Sequence, residues 1–196
     1  MSGTKSKNKG KTYERDVANH LTELYGESFT RVPYSGAFVG GQNISRTETL
    51  SEGQTRGFKG DIIPPETFPY LVIEAKHYGE FQWHNLALGE PIKQLNEWIK
   101  QARESCEAQD KWILFVKISR QGSFALWDPN QWRMEYFNMY PADPENVFTY
   151  MEWSRFWYMN KKAFKEQSAK PMIIETVEEE NINSELEDTT ESNPVS

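Results

Sequence analysis

"FPYLVIEAKHY", residues 68 to 78, decides how this chain folds. Its apolar, β-branched run predicts a strand over 70–78, yet Glu74 and Lys76 interrupt it. Side chains alternate along a strand, so Glu74 and Lys76 project together from one face while Ile73 and Ala75 face the other. Charged groups are rarely buried without a partner, and this pair therefore needs one. "DII" (61–63) reads as the preceding strand, joined through the proline-containing turn "PPETFP", which favours an antiparallel hairpin. Neighbouring strands lie about 4.8 Å apart, close enough to set the carboxylate of Asp61 beside that of Glu74.

Working outward from that hairpin, Tyr13, Val17, Leu21 and Leu24 recur at helical spacing between Thr12 and Tyr25, and Gly26 ends the stripe. "SFTRVPY" (28–34) reads as a short strand, and 35–60 as a long polar connection rich in glycine, a length that usually signals function or mobility. A helix is expected from Pro91 to about Cys106, with Ile92, Leu95, Ile99 and Ala102 on one face. "KWILFVKI" and "SFALWD" read as two strands around the turn "SRQG", and a further strand is expected at "RMEYFN". Asp143 and Pro144 offer an N-cap and a first position for a helix of about twenty residues. That helix would carry the aromatic cluster "FTYMEWSRFWYM" (148–159), for which core packing is the expected use, ahead of a dimer interface or base stacking. The fold class is α/β: a mixed sheet with helices on its faces.

At 196 residues and 37% hydrophobic, the chain can bury one good core. Cys106 is its single cysteine, which excludes an internal disulfide framework and suits a reducing compartment; it is expected to be a buried small residue rather than a reactive one. No stretch has the apolar length of a membrane span or a signal peptide, so a cytoplasmic protein is expected. The net charge of −7 is unevenly spread, because residues 166–196 hold nine acidic side chains against Lys170, which leaves 1–165 at +1. The division expected is a basic N-terminal arm over 1–11, a domain over 12–165 and an acidic, disordered tail over 166–196. Lys9 and Lys11 in the arm, with Arg15 just beyond it, suit contact with phosphates, as do Arg46, Arg56 and Lys59 in the long connection; a solvated surface would carry the same residues.

Converging carboxylates make a hard-oxygen site suited to magnesium or manganese. Asp61 and Glu74 are the candidates, and Glu14, in the first helix at the edge of its buried stripe, is a third acid able to look toward the sheet. Such a site can bind a scissile phosphate and acidify a water, while Lys76 orients that water or stabilises developing charge. That is phosphodiester hydrolysis chemistry. A cross-strand salt bridge among Asp61, Glu74 and Lys76 is the alternative use of the same trio.

"GDIIPP…FPYLVIEAKHY" resembles the core signature of the PD-(D/E)XK nuclease superfamily, with Gly60 where proline is usual. "KGKTYERDVANHL" (9–21) and "RVPYSG" (31–36) narrow the resemblance to archaeal-type Holliday junction resolvases, over about residues 7–118. The resemblance implies a restriction-endonuclease-like fold, a homodimer, Mg2+ with Mn2+ able to substitute, and incision of branched or double-stranded DNA, in the host cytoplasm if the chain is phage-encoded. Carried over residue by residue, Asp61, Glu74 and the carbonyl of Ala75 would bind metal and Glu14 would complete the shell. Lys76 would be the catalytic lysine, Ser35 would lie near the phosphate, and Gln94 would be the polar helix residue beside the site. A nuclease acting on linear DNA, or an inactive DNA-binding module, would use the same core.

Overall fold

The computed structural model describes residues 3–33, 59–143 and 146–172. Seven strands form one mixed sheet in the order β1-β2-β3-β4-β5-β7-β6. They are β1 (Thr30–Arg31), β2 (Ile62–Ile63), β3 (Leu71–Tyr78), β4 (Lys111–Ile118), β5 (Gly122–Trp127), β6 (Tyr140–Asp143) and β7 (Asn146–Glu152). Among the described residues, four helices accompany them: α1 (Gly3–Tyr25), α2 (His84–Ala87), α3 (Lys93–Glu104) and α4 (Trp153–Ser168). β2 and β3 pair antiparallel, as the turn chemistry between them requires, whereas β3 and β4 run parallel in register from Leu71↔Lys111 to Tyr78↔Ile118. A parallel pair needs a crossover, and α3 supplies it.

Each face of the sheet has its own core. Tyr13, Val17 and Leu21 of α1 and Phe156, Trp157 and Phe164 of α4 pack on Ile73, Ala75, Ile113, Phe115 and Trp127. Leu95, Trp98, Ile99 and Ala102 of α3 cover Leu114, Val116 and Leu126 on the other side. Burying one such aliphatic or aromatic side chain contributes about 1.5–3 kcal/mol, so the two layers hold β3 and β4 from above and below. No helix among the described residues is long and apolar enough to cross a membrane.

The structure corrects several sequence expectations. α1 begins at Gly3 rather than Thr12, so Lys9 and Lys11 ride on the helix. α3 starts at Lys93, two residues after Pro91. "RMEYFN" is no strand, and side chains of α4 take its backbone hydrogen bonds instead. The amides of Arg133 and Glu135 donate to Gln167 Oε1 and Asn160 Oδ1 at 2.6 and 2.8 Å, and the side-chain amides of Gln167 and Asn160 donate back to the carbonyls of Arg133 and Glu135. Every buried peptide group needs such a partner, and two amide side chains here imitate a neighbouring strand.

Asp143 does not cap a helix. It ends β6, residues 146–152 return as β7, and α4 is capped by Glu152, whose carboxylate accepts from the Arg155 amide at 3.0 Å. The aromatic cluster is therefore split between a strand and a helix. Phe148, Phe156 and Trp157 are buried, as the core-packing expectation required, while Tyr158 is exposed. α4 also runs to Ser168, past the expected domain boundary at 165, and the acidic segment beyond Met172 lies outside the described residues.

Candidate active site

Asp61 is fixed by its backbone on both sides. Its amide donates to the carbonyl of Ile73 at 2.7 Å, and its carbonyl accepts from Val32 at 2.9 Å, so it is tied to β3 and to the end of β1. Gly60 makes this approach possible. Its φ is +72°, and a Cβ built there would lie 2.4 Å from the Ile73 carbonyl oxygen. Proline, held near φ −65°, cannot adopt that conformation, so glycine fits here where the resembled signature usually has proline.

The side chains then converge. Asp61 Oδ2 accepts from the Ala75 amide at 2.9 Å and from Lys76 Nζ at 3.2 Å, and Lys76 Nζ donates to Glu74 Oε2 at 2.6 Å. Asp61 and Glu74 are both buried, 6% and 2% exposed, so water does little to separate their charges. Burial, and next to it the charge of Asp61, pushes the Glu74 carboxyl well above the usual carboxylate range, against the pull of Lys76. Burial lowers the Lys76 pKa, but Asp61 and Glu74 outweigh it and hold the ammonium above its ordinary value. Lys76 is thus a fixed cation at neutral pH.

Glu14 also turns toward this corner. Burial and then Asp61 raise its pKa, while the Arg31 guanidinium, 2.5 Å from Glu14 Oε2, opposes the rise. Arg31 was not singled out from the sequence, although it lies in the quoted "RVPYSG". Gln101 of α3 and Ser105 at its C-cap were missed as well: Gln101 Nε2 donates to Glu74 Oε2 at 3.2 Å, and Ser105 Oγ lies 3.5 Å from Glu74 Oε1. Gln94, two turns earlier, instead donates to Glu97 at 3.2 Å. The helical stripe predicted from Leu95, Ile99 and Ala102 fixes which face is buried, and Gln101 and Ser105 flank it, so the signal was present in the periodicity.

The expected DNA-binding residues are more scattered. Lys9, Lys11 and Arg15 are exposed along α1. Lys59 is 2.7 Å from Asp110 and 3.0 Å from Glu107, which makes it part of an ion-paired cluster. Ser35, Arg46 and Arg56 lie outside the described residues. Burial pushes the Cys106 thiol up to about 12, so it stays protonated at neutral pH and is a poor nucleophile.

The donor set suits a hard divalent cation: two buried carboxylates already converge on one positive group, Lys76. Among the described residues there is no cluster of three or more acidic, histidine or cysteine ligands, so Asp61 and Glu74 could hold such an ion only with help from backbone, water or substrate oxygen. Residues 5–179 match the family model described as phage putative PDDEXK endonuclease. No curated protein and no solved structure matches the chain.

Proposed function

The chain belongs to the phage PDDEXK endonuclease family, and from that premise we propose that it is a divalent-metal-dependent nuclease that hydrolyses phosphodiester bonds in branched DNA, four-way junctions first among them. The observation that carries the proposal is the meeting of Asp61, Glu74 and Lys76 within hydrogen-bonding distance at a buried corner of the sheet. Mg2+, or Mn2+ in its place, supplies Lewis-acid charge beside the phosphate when bound. Asp61 and Glu74 hold it in this reading, with the carbonyl of Ala75, and Glu14 completes the acidic wall. Lys76 remains protonated, so it donates hydrogen bonds to the phosphoryl oxygens and offsets charge that grows in the transition state, rather than removing a proton. Gln101 and Ser105 orient the Glu74 carboxylate from behind.

The junction as substrate rests on the resemblance of residues 9–21 and 31–36 to archaeal-type resolvases, and paired incision of a four-way junction requires two such sites, hence a homodimer. The family's phage association fits action in the host cytoplasm. The test is cleavage of labelled four-way junction, linear duplex and single-stranded DNA of matched sequence, with Mg2+, Mn2+ or EDTA, alongside Lys76→Ala. Metal-dependent paired cuts confined to the junction and lost in the variant are expected. Cutting of linear duplex would reassign the substrate, and no cutting of any DNA by the intact chain would overturn the nuclease reading.

A further inference from the structure

β3 carries a second polar cluster one residue beyond Lys76, on the opposite face. His77 Nε2 is 3.1 Å from Ser119 Oγ, and its Nδ1 is 3.4 Å from the carbonyl of Lys9, so the imidazole braces α1 against the turn after β4. The Tyr13 ring stands edge-on to it at 6.0 Å, and Lys117, the register partner of His77 on β4, holds Nζ 5.5 Å from the centre of that same ring. Arg120 sits at the turn itself with φ +65°, the one non-glycine residue in left-handed backbone among those described, and its side chain is exposed. A side chain is disfavoured there relative to glycine, which gives the guanidinium at this turn more than incidental interest. Lys9 is exposed beside them. Asp16 is the one acid acting on His77 from these packed elements, while Lys9 and Lys117 both act on it as cations.

We propose that Lys9, Lys117 and Arg120, braced by His77 and Ser119, form a phosphate-binding patch that receives the DNA backbone adjacent to the bond cut at Asp61, Glu74 and Lys76. The inference rests on the nuclease reading and adds to it where the uncut DNA lies. Its distances fit. His77 is one residue, about 3.3 Å along the strand, from Lys76. On α1, Lys9 precedes Glu14 by five residues, about 7.5 Å along the axis. A DNA strand carries a phosphate for about every 3.4 Å of axis, so these main-chain offsets correspond to about one to two phosphates. β3 ends at Tyr78, one residue past His77. A backbone passing the end of the strand therefore meets both clusters without crossing the sheet.

The experiment measures binding of the full chain to four-way junction and duplex DNA in EDTA across a salt series. It compares the unmodified chain, Lys117→Gln/Arg120→Gln and, as a control of equal charge change, Lys161→Gln/Lys162→Gln on α4. The patch variant is expected to bind about tenfold more weakly and to have a salt dependence shallower by about 1.8 log units per log unit, two phosphate contacts fewer, while the control stays within about twofold. Lys9→Gln should produce about half the change in slope, independently of any effect on the turn. Thermal melting identical to that of the unmodified chain certifies each variant as folded. Equal losses in patch and control variants, or no loss in the patch variants, would overturn the inference while leaving the nuclease reading intact. Failure of the unmodified chain to bind any DNA would instead bring down the reading on which it rests, and the patch with it.

Discussion

Two clusters in this fold share a composition, one lysine between two acids, and sit on either side of Gly60. Lys76 lies between Asp61 and Glu74, and Lys59 between Asp110 and Glu107. Their difference lies in the second acid. The side chain of Glu107 is 57% exposed, and Asp110 also accepts the backbone amide of Glu107, so the Lys59 cluster is closed by water and by a turn. Glu74 is 2% exposed and shares its one cation with another buried carboxylate. Burial first, and then the charge of Asp61, raises the Glu74 pKa against the pull of Lys76. Excess buried negative charge favours a further cation, whereas charge already closed by solvent serves the fold. Composition does not distinguish the two clusters; the burial of the second acid does.

The strongest way to break this contrast is Asp61→Asn. Cleavage should fall by about 10^3-fold or more, with junction binding nearly unchanged because phosphate contacts elsewhere carry the affinity. Undiminished cutting would make the first cluster as structural as the second. Gly60→Ala, between the two, should cost about 2–4 kcal/mol in chemical denaturation, since it adds a Cβ to left-handed backbone against the Ile73 carbonyl. Lys59→Met should cost about 1–3 kcal/mol by leaving Asp110 buried without its cation, and should barely alter Mn2+ binding measured by calorimetry. Loss of Mn2+ binding in that variant would merge the two clusters into one site. Gln101→Ala should leave stability nearly intact and weaken Mn2+ binding about tenfold, as loss of a group that orients a ligand does.

The smallest effect belongs to the acidic end. Removing residues 173–196 should change stability by no more than about 0.5 kcal/mol and tighten DNA binding at low salt, because eight acidic side chains and no basic ones are deleted. Cutting the chain before Gln167 is a different experiment, since that residue's carbonyl accepts from Lys111 at 2.8 Å and its side chain holds Arg133.

The sequence discloses features whose cause is local. β3 and β4 are continuous apolar runs, α1 and α3 have stripes of helical period, and Asp61, Glu74 and Lys76 announce themselves as charges where apolar residues belong. What stayed hidden depends on partners far along the chain. Lys59 reads as a loop cation because Asp110 is 51 residues away. "RMEYFN" reads as a strand because nothing local reveals that Asn160 and Gln167 take its hydrogen bonds. β7 was read as helix because its aromatics, Phe148 and Tyr150, run without a break into the helical Trp153, Phe156 and Trp157, and the period changes from two to about 3.6 with no glycine or proline to mark the joint. Gln94 is expected at the site only through the resemblance, whereas the α3 crossover brings its last turn, with Gln101, against Glu74.

The parallel pairing of β3 with β4 also sets when the acidic corner is assembled during synthesis. Glu14, Asp61, Glu74 and Lys76 all leave the ribosome before α3, yet β3 gains its hydrogen bonds along one edge only when the chain has been made as far as Ile118. Such non-local pairing forms late because the intervening chain must first close into a loop. A half-synthesised copy thus carries the charged side chains of the proposed site without the strand that holds them in place, and the corner is completed only late in translation.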